Sequence, residues 1–337
     1  MKKQAFIFLL LSLSFTLFAS GAKVVPLPEI LNAEQVAVDD NQVYFTEGTT
    51  IYIYSLKDFK LIKKFGKKGE GPREFMLATG MQININVQSE DLIVNSFGKI
   101  SYFTKEGVYK KELKVTSLSF NFVPLGDRYL AAGLAVKDGI RYLVINIFDA
   151  GLKKLKEIYR TKDFIQQSGD INPVKQSFAY YAYDNKIFVA GSEGFVIDVL
   201  DTTGKPLYSI SRKDYQRVKL TGQNKKDMEN SFKTNPQSKE LYHLLKDRIV
   251  YPEYFPAILN FYTSDGLVYV VSWEKKDGKF KFFIFGIDGK LKKEKYLPVQ
   301  LMDTFIPFPF EIYNKKMYQV VVNEETDESE LHIIDVE

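Results

Sequence analysis

The chain repeats one pattern six times, a run of short strands separated by turn residues, and this repeat constrains its fold more than any other feature. Apolar and polar residues alternate, and glycine-containing pairs interrupt them, as in "QVYFTEGTTIYIYSLKDFKLIKKF" from residue 42. A period of two is typical of β-strands joined by tight hairpins. Few windows show the i, i+3, i+4, i+7 spacing of a helix, so the sequence predicts an all-β fold.

Each copy is preceded by a further short strand, such as "QININV" before Asp91 or "AILNFYT" before Asp265. The unit is therefore a four-stranded meander, and it recurs at intervals of roughly 45 residues with one long exception. This organisation predicts a six-bladed β-propeller of four-stranded antiparallel blades. Gly107, Gly151, Gly204 and Gly289 fall between the third and fourth strands, where a tight turn favours a residue that accepts positive φ.

The sixth copy ends after its third strand, "ELHIIDV". An unused extended segment, "KVVPLPEI" at residues 23–30, precedes the first copy. We expect this segment to supply the outermost strand of blade six and close the ring; the alternative is a free N-terminal tail. Pro26 and Pro28 are compatible with an edge strand, which does not need every backbone donor.

The first 22 residues have the layout of a secretory signal peptide. Lys2 and Lys3 precede an apolar run to Phe18, and small residues follow it. Cleavage is expected after Gly21 or Ala22, leaving a propeller over residues 23–337 with no transmembrane segment; an uncleaved anchor is the alternative. The chain has no cysteine, which excludes disulfides and lipid attachment through an N-terminal cysteine. We therefore predict an exported protein, periplasmic or extracellular.

Net charge excludes one class of partner. Without Lys2 and Lys3, 44 basic residues face 42 acidic ones, because the full chain has 46 and 42. A net charge this close to zero is not the footprint of a nucleic-acid-binding protein. The predicted partners therefore do not include nucleic acid.

The stretch "FGKKGEGPREF" at residues 65–75 is rich in glycine but lacks the spacing of a phosphate-binding loop. Its glycines are spaced G-x-x-G-x-G, and no Ser or Thr follows a Gly-Lys pair. Together with "LIVNSFGKISYFTKEGVYKKEL" after it, the stretch resembles the repeats of NHL-like six-bladed β-propellers, which are common among exported bacterial proteins. The resemblance covers the first two blades and implies that the stretch is a connector between them, with Phe75 buried.

Several links from the outer strand of one blade to the inner strand of the next are long. Such links emerge on one face of a propeller, which commonly carries the ligand site at the mouth of the channel. We expect function to lie on that face. The long links span residues 66–74, 160–176, 212–255 and 298–309.

The longest link, residues 212–255, is predicted to be a helical insertion between blades four and five. Asn235 is a candidate N-cap before Pro236, and Leu241, Leu245 and Ile249 are spaced to form one apolar face. Residues 212–250 contain ten basic and five acidic side chains, which favours a basic lid or partner-docking element. A solvated decoration packed on the blades is the alternative. The aromatic stretch at 251–258 is expected to anchor the insertion to blade five.

Catalytic groupings are scarce. His243 and His332 are the only histidines, so a three-histidine metal site is excluded, and His332 is expected to be structural. The sequence favours a noncatalytic binding scaffold for a protein, peptide or glycan, without a cofactor. A metal-dependent hydrolase of lactonase type, with a divalent cation such as calcium in the channel, is the alternative. The candidate binding residues are Arg73, Glu74, Tyr242, His243, Tyr254 and Asp303.

Overall fold

The computed structural model contains the predicted six-bladed β-propeller. It describes residues 22–78, 81–163, 169–175, 178–191, 193–234, 238–303, 305–323 and 325–336. Six four-stranded antiparallel sheets form the blades, and contacts between the innermost strands of neighbouring blades arrange them around a channel. The predicted signal segment lies outside the described residues, apart from Ala22.

The first half of the described chain builds the first three blades. The first strand is β1 (Lys23–Leu27). Blade one follows as β2 (Gln35–Val38), β3 (Gln42–Glu47), β4 (Thr50–Ser55) and β5 (Leu61–Phe65). Two short parallel strands lie in the next link: β6 (Lys67–Lys68) and β7 (Glu74–Phe75). Blade two comprises β8 (Asn84–Val87), β9 (Leu92–Ser96), β10 (Lys99–Phe103) and β11 (Tyr109–Lys114). Blade three comprises β12 (Ser119–Leu125), β13 (Arg128–Lys137), β14 (Ile140–Phe148) and β15 (Lys154–Lys162).

The second half adds three blades and the helices. Blade four comprises β16 (Phe178–Tyr183), β17 (Lys186–Gly191), β18 (Phe195–Asp201) and β19 (Pro206–Arg212). The helices are α1 (Gly222–Thr234) and α2 (Lys239–Leu245), followed by a 3-10 turn at Lys246–Arg248. Blade five comprises β20 (Asn260–Ser264), β21 (Leu267–Lys276), β22 (Lys279–Gly286) and β23 (Leu291–Leu297). A small hairpin contains β24 (Leu301–Asp303) and β25 (Ile306–Pro307). Blade six contributes β26 (Phe310–Tyr313), β27 (Lys316–Asn323) and β28 (Glu328–Asp335).

The N-terminal segment closes the ring, as predicted. Strand β1 pairs antiparallel with β28, with Lys23 opposite Ile333 and Leu27 opposite Ser329, so the sheet order of blade six is β1-β28-β27-β26. Leu27 is fully buried in a cluster with residues of blades one and six. Because this strand comes from the opposite end of the chain, its pairing ties the first blade to the last.

The glycine-rich stretch is a structural connector, also as predicted. Phe75 is fully buried between blades one and two, with its ring centroid 6.1 Å from that of Phe103. Gly66 has φ of +97°, and a Cβ placed on it would meet the carbonyl oxygen of Thr49 and lie 2.8 Å from the Phe75 ring. The glycine is therefore needed both for its backbone conformation and for the close approach of two chain segments.

The turns between the third and fourth strands follow the prediction in three blades and depart from it in blade three. Gly107, Gly204 and Gly289 have positive φ, but in blade three the residue with positive φ is Leu152 and not Gly151. The N–H of Leu152 donates to the carbonyl of Asp149 across the turn. In blade four the N–H of Gly204 donates to the carbonyl of Asp201 in the same way, so Leu152 occupies the equivalent position. The prediction was wrong by one position in the turn.

Gly66→Ala should destabilise the protein more than Gly98→Ala. Both glycines have positive φ, but a Cβ at Gly98 would meet nothing within 4 Å. We expect Gly98→Ala to lower the free energy of unfolding by about 1 kcal/mol and Gly66→Ala by about 2–4 kcal/mol. Urea denaturation measures both. Equal losses would contradict the proposed collision with Thr49 and Phe75.

Leu27→Ala tests ring closure. Removing a fully buried leucine should lower the free energy of unfolding by about 2–4 kcal/mol. Leu31→Ala is the matched control, because Leu31 is 62% exposed and its truncation should cost less than about 0.5 kcal/mol. Denaturation monitored by tryptophan fluorescence reports both, and a negligible effect of Leu27→Ala would show that β1 does not hold the ring.

Candidate functional site

The two faces of the propeller differ in their connections. In a four-stranded meander the link to the next blade and the turn between the second and third strands emerge on one face, which we call the loop face; the other is the turn face. In blade one the N–H of Leu31 in the link donates to Glu47 in the second turn at 2.9 Å. In blade two Lys99 donates to the carbonyls of Glu70 and Gly71 at 3.2 and 2.7 Å. Links and turns therefore support one another on the loop face.

Arg73 and Glu74 lie in the connector between blades one and two. Glu74 forms an ion pair with Lys67 at 2.8 Å and accepts the N–H of Gly71 at 2.9 Å. The hydrogen bond from Lys67 is the largest contribution that lowers the pKa of Glu74, and the Gly71 N–H adds to it. Arg73 is exposed, with φ of +66°. Glu74 thus holds the connector together, while Arg73 is available at the surface.

The insertion contains two helices, and the sequence prediction of one was incomplete. The prediction missed α1, whose sequence has no apolar stripe and whose single buried residue is Met228. It also placed the wrong side chain on the packing face of α2, because Leu241 is exposed and Tyr242 is buried. Ile249 follows the 3-10 turn with extended φ and ψ, so a continuous helical face through it does not form. The candidate capping residues, Asn235 and Pro236, lie outside the described residues.

The insertion is fixed to the blades at several points. Met228 of α1 is fully buried in the cluster that joins blades five and six. Phe255, in the predicted aromatic anchor, stacks on Trp273 of blade five with centroids 4.0 Å apart and planes at 16°. Ile249 pairs with Ile171 in the link between blades three and four. The insertion therefore extends over the loop face from blades five and six to the link before blade four.

A cleft of about 450 Å³ lies between α1 and the β24–β25 hairpin. Asp303 is one of its lining residues, and its carboxylate accepts a hydrogen bond from the Ser231 hydroxyl of α1. Phe232 and Phe305 pack behind this contact, with centroids 5.7 Å apart. The cleft is lined by Asp227, Asn230, Ser231, Thr234, Met302, Asp303 and Ile306.

Tyr242 and His243 lie on α2, outside the lining of this cleft, and they differ in exposure. The Tyr242 hydroxyl donates to Glu229 at 3.0 Å, and its ring stacks on Phe232 with centroids 6.1 Å apart. Burial raises the pKa of Tyr242, and the hydrogen bond to Glu229 raises it further. His243 is exposed. Tyr242 therefore joins the two helices, and His243 faces solvent.

Tyr254 lies in a separate cleft of about 240 Å³ between the insertion and blade four. The guanidinium of Arg217 lies 3.9 Å from the centroid of its ring, a cation–π arrangement. Lys175 and Glu193 form an ion pair at 3.8 Å on another wall of the cleft. The sequence-predicted residues thus occupy four places on the loop face: the connector, the α1 cleft with Asp303, helix α2 with Tyr242 and His243, and the Arg217–Tyr254 cleft.

Sequence reasoning missed Glu311, on the innermost strand of blade six. The six innermost strands, β2, β8, β12, β16, β20 and β26, contain one charged side chain, and it is Glu311. It is the second residue of β26, near the loop-face end of the channel. Burial raises the pKa of Glu311 to about 8, although a hydrogen bond from the backbone of Ile312 lowers it. None of the ion pairs formed among the described residues includes Glu311, so no cation offsets this effect.

Amide and tyrosine side chains link the innermost strands of the first four blades. Gln35 exchanges hydrogen bonds with the backbone of Ile85 at 2.8 and 2.9 Å, joining blades one and two. Asn84 donates to Asn121 at 2.8 Å, and Tyr180 donates to the Asn121 carbonyl at 2.8 Å, continuing the series to blade four. These neutral polar groups satisfy one another, in contrast to Glu311.

The structural role predicted for His332 agrees with its contacts. His332 is buried, and its Nε2 lies 3.0 Å from Glu330 and its Nδ1 3.3 Å from Gln300. Burial alone would raise the pKa of Glu330, but hydrogen bonds from Asn323 and His332 lower it. Across the part of the chain that the structure describes, no three His, Cys, Asp or Glu side chains are grouped as metal ligands.

Comparison with known proteins relates the chain to other propellers by fold. No protein-family model matches it, and no curated protein matches its sequence. A Bacteroides fragilis protein named as exported has a similar structure, with 12% identity, a TM-score of 0.55 and coverage of 93% of this chain and 95% of that one. A member of the DUF4221 family from Bacteroides vulgatus has 13% identity, a TM-score of 0.53 and coverage of 94% and 96%. In the described residues, no helix has the length and apolar character needed to span a bilayer.

Glu311 should make stability depend on pH. As pH rises from 4.5, the ordinary pKa of glutamate, towards 8, the unfolded chain loses the proton and the folded chain retains it. The free energy of unfolding should therefore fall over this interval, by about 2–4 kcal/mol in total by pH 9. Glu311→Gln should remove this part of the decline, whereas exposed Glu90→Gln should not. Urea denaturation at pH 5, 7 and 9 measures this, and parallel curves for wild type and Glu311→Gln would contradict it.

Proposed function

We propose that this chain is an exported binding scaffold that holds a protein, peptide or glycan partner on its loop face. One observation carries the proposal: the helical insertion, the connector and both clefts lie on the loop face, whereas tight turns connect strands on the turn face. Loops positioned by a rigid scaffold commonly carry function. The insertion is fixed by packing at Met228 and Phe255, so it presents a defined surface.

Export is supported by two observations from different sources. The first 22 residues have the layout of a signal peptide. A neighbour of similar structure from Bacteroides fragilis is named as an exported protein. Assignment to the NHL-like group rests on the sequence of the first two blades, in particular the connector at residues 65–75. The signal-like segment and the exported neighbour support a scaffold that acts in the periplasm or outside the cell.

The charge of the insertion indicates the chemistry of the partner. Its surplus of five basic residues between 212 and 250 contrasts with a mature chain close to neutrality. Lys213, Lys219, Lys226, Lys239 and Lys246 are all exposed. A surface with these cations favours a partner carrying carboxylate or other anionic groups, and it accelerates the encounter with that partner.

Charge reversal on the insertion should weaken partner capture. We expect Lys226→Glu with Lys239→Glu to reduce capture from the envelope fraction of the producing cell by about tenfold or more. The matched control is Lys153→Glu with Lys290→Glu, two exposed lysines in turns of the turn face. Quantitative pull-down at low and high salt measures capture, and thermal melting checks that both variants fold. Equal capture by both variants would contradict a loop-face site.

A further inference from the structure

Among the residues that the structure describes, no cation pairs with the carboxyl of Glu311. Buried charged groups are usually paired, because removing a charge from water is costly. The Glu311 side chain is partly exposed on the innermost strand of blade six, and burial still raises its pKa. Among the described residues, the titratable groups on neighbouring strands are Tyr181 of β16, Tyr262 of β20 and, opposite Glu311 in the β26–β27 ladder, Tyr318. None of the three is a cation.

Aromatic residues occupy the innermost strands next to the position of Glu311. The ring centroids of Tyr181 and Tyr262 are 6.0 Å apart, and those of Tyr262 and Phe310 are 4.4 Å apart. Strands β16, β20 and β26 contact one another in sequence around the ring, so Tyr181, Tyr262 and Glu311 lie on three neighbouring innermost strands. After burial, the negative charge of Glu311 contributes to the raised pKa of both tyrosines. The Tyr262 hydroxyl accepts a hydrogen bond from Asn260 at 3.0 Å. Blades four, five and six therefore bring aromatic groups and one carboxyl to neighbouring innermost strands.

This combination discriminates among ligands by charge. An anion would be repelled by Glu311, and an apolar group would leave the carboxyl unpaired in a poorly hydrated place. A cation gains from the carboxylate and from the negative faces of the aromatic rings. Carboxylate and tyrosine side chains at one site are therefore suited to an ammonium or guanidinium group.

We propose that Glu311, Tyr181 and Tyr262 form a binding site for an ammonium or guanidinium group that enters the channel from the loop face. If the cation is a lysine or arginine side chain of the bound partner, the site is part of the proposed scaffold function and depends on it. A free amine would supply the same chemistry. The bound cation takes the place of the proton on Glu311, so binding near neutral pH releases up to one proton to the buffer.

Calorimetry with defined probes tests the proposal. The free probes are methylammonium and guanidinium, and the peptide probes are acetyl-Gly-Lys-Gly-amide and its neutral counterpart acetyl-Gly-Met-Gly-amide. Titration at pH 7 in two amine-free buffers of different ionisation enthalpy gives both affinity and proton release. We expect the cationic probes to bind with proton release and the methionine peptide to bind at least tenfold more weakly.

Three variants assign the binding to the site. Glu311→Gln should weaken the cationic probes at least tenfold and abolish proton release, while its amide keeps the size of the side chain. Tyr181→Leu should weaken binding severalfold by removing one ring. Glu90→Gln should behave as wild type, because Glu90 is exposed on the turn face. A methyl-carbon or carboxyl-carbon NMR spectrum of each variant establishes that it is folded.

The outcomes separate this inference from the scaffold function. Binding of free cations but not of the lysine peptide would identify a small-amine site, and preferential binding of the peptide would identify a partner's side chain. No binding by any cationic probe, or binding unchanged in Glu311→Gln, would overturn the inference. That result leaves the scaffold function standing if charge reversal on the insertion still reduces capture. If capture is unaffected but methylammonium binding depends on Glu311, the loop-face proposal fails and the channel site remains.

Discussion

The pairing of β1 with β28 is the interaction on which the rest of the structure depends. An open array of blades would leave the outer edge of blade six unpaired, with exposed backbone donors and acceptors. It would also leave blade six without the outermost strand that carries Leu27 into the core. Closure fixes blade six against blade one, and this contact holds the innermost strands in a ring. The channel and both faces exist as defined surfaces because that ring is closed.

The two faces of the closed ring have different roles: one stabilises the scaffold and the other carries the long segments. On the turn face, short turns contact their neighbours directly: Asp39 of blade one pairs with Lys105 of blade two at 2.9 Å and accepts the Tyr44 hydroxyl at 3.0 Å. Burial would raise the pKa of Asp39, but hydrogen bonds from Asn41, Lys105 and other neighbours lower it. Such contacts stabilise the scaffold without long segments. The loop face is therefore free to carry the insertion and its clefts.

Features that repeat, or that complete a repeat, could be predicted from the sequence. The six meanders indicated the blades, and the missing last strand together with the unused segment at 23–30 indicated closure. The connector predicted burial of Phe75 because its glycines permit a sharp return to the next blade. Helix α1 could not be predicted in this way, since Met228 is its single buried residue and its sequence shows no apolar period. In α2 the burial of Tyr242 in place of Leu241 depends on contacts with α1, which no local pattern contains.

Sequence analysis missed Glu311 for a related reason: the residue is unusual only because of its position in the ring. In the sequence it is one acidic residue among 42. It becomes distinctive when β26 is recognised as innermost and the other five innermost strands prove to have no charged side chain. A carboxyl in that place weakens the fold once it ionises, since no cation among the described residues offsets the charge. Its charge is compensated either by a proton or by a ligand, so the occupancy of the channel and the stability of the propeller are linked through one side chain.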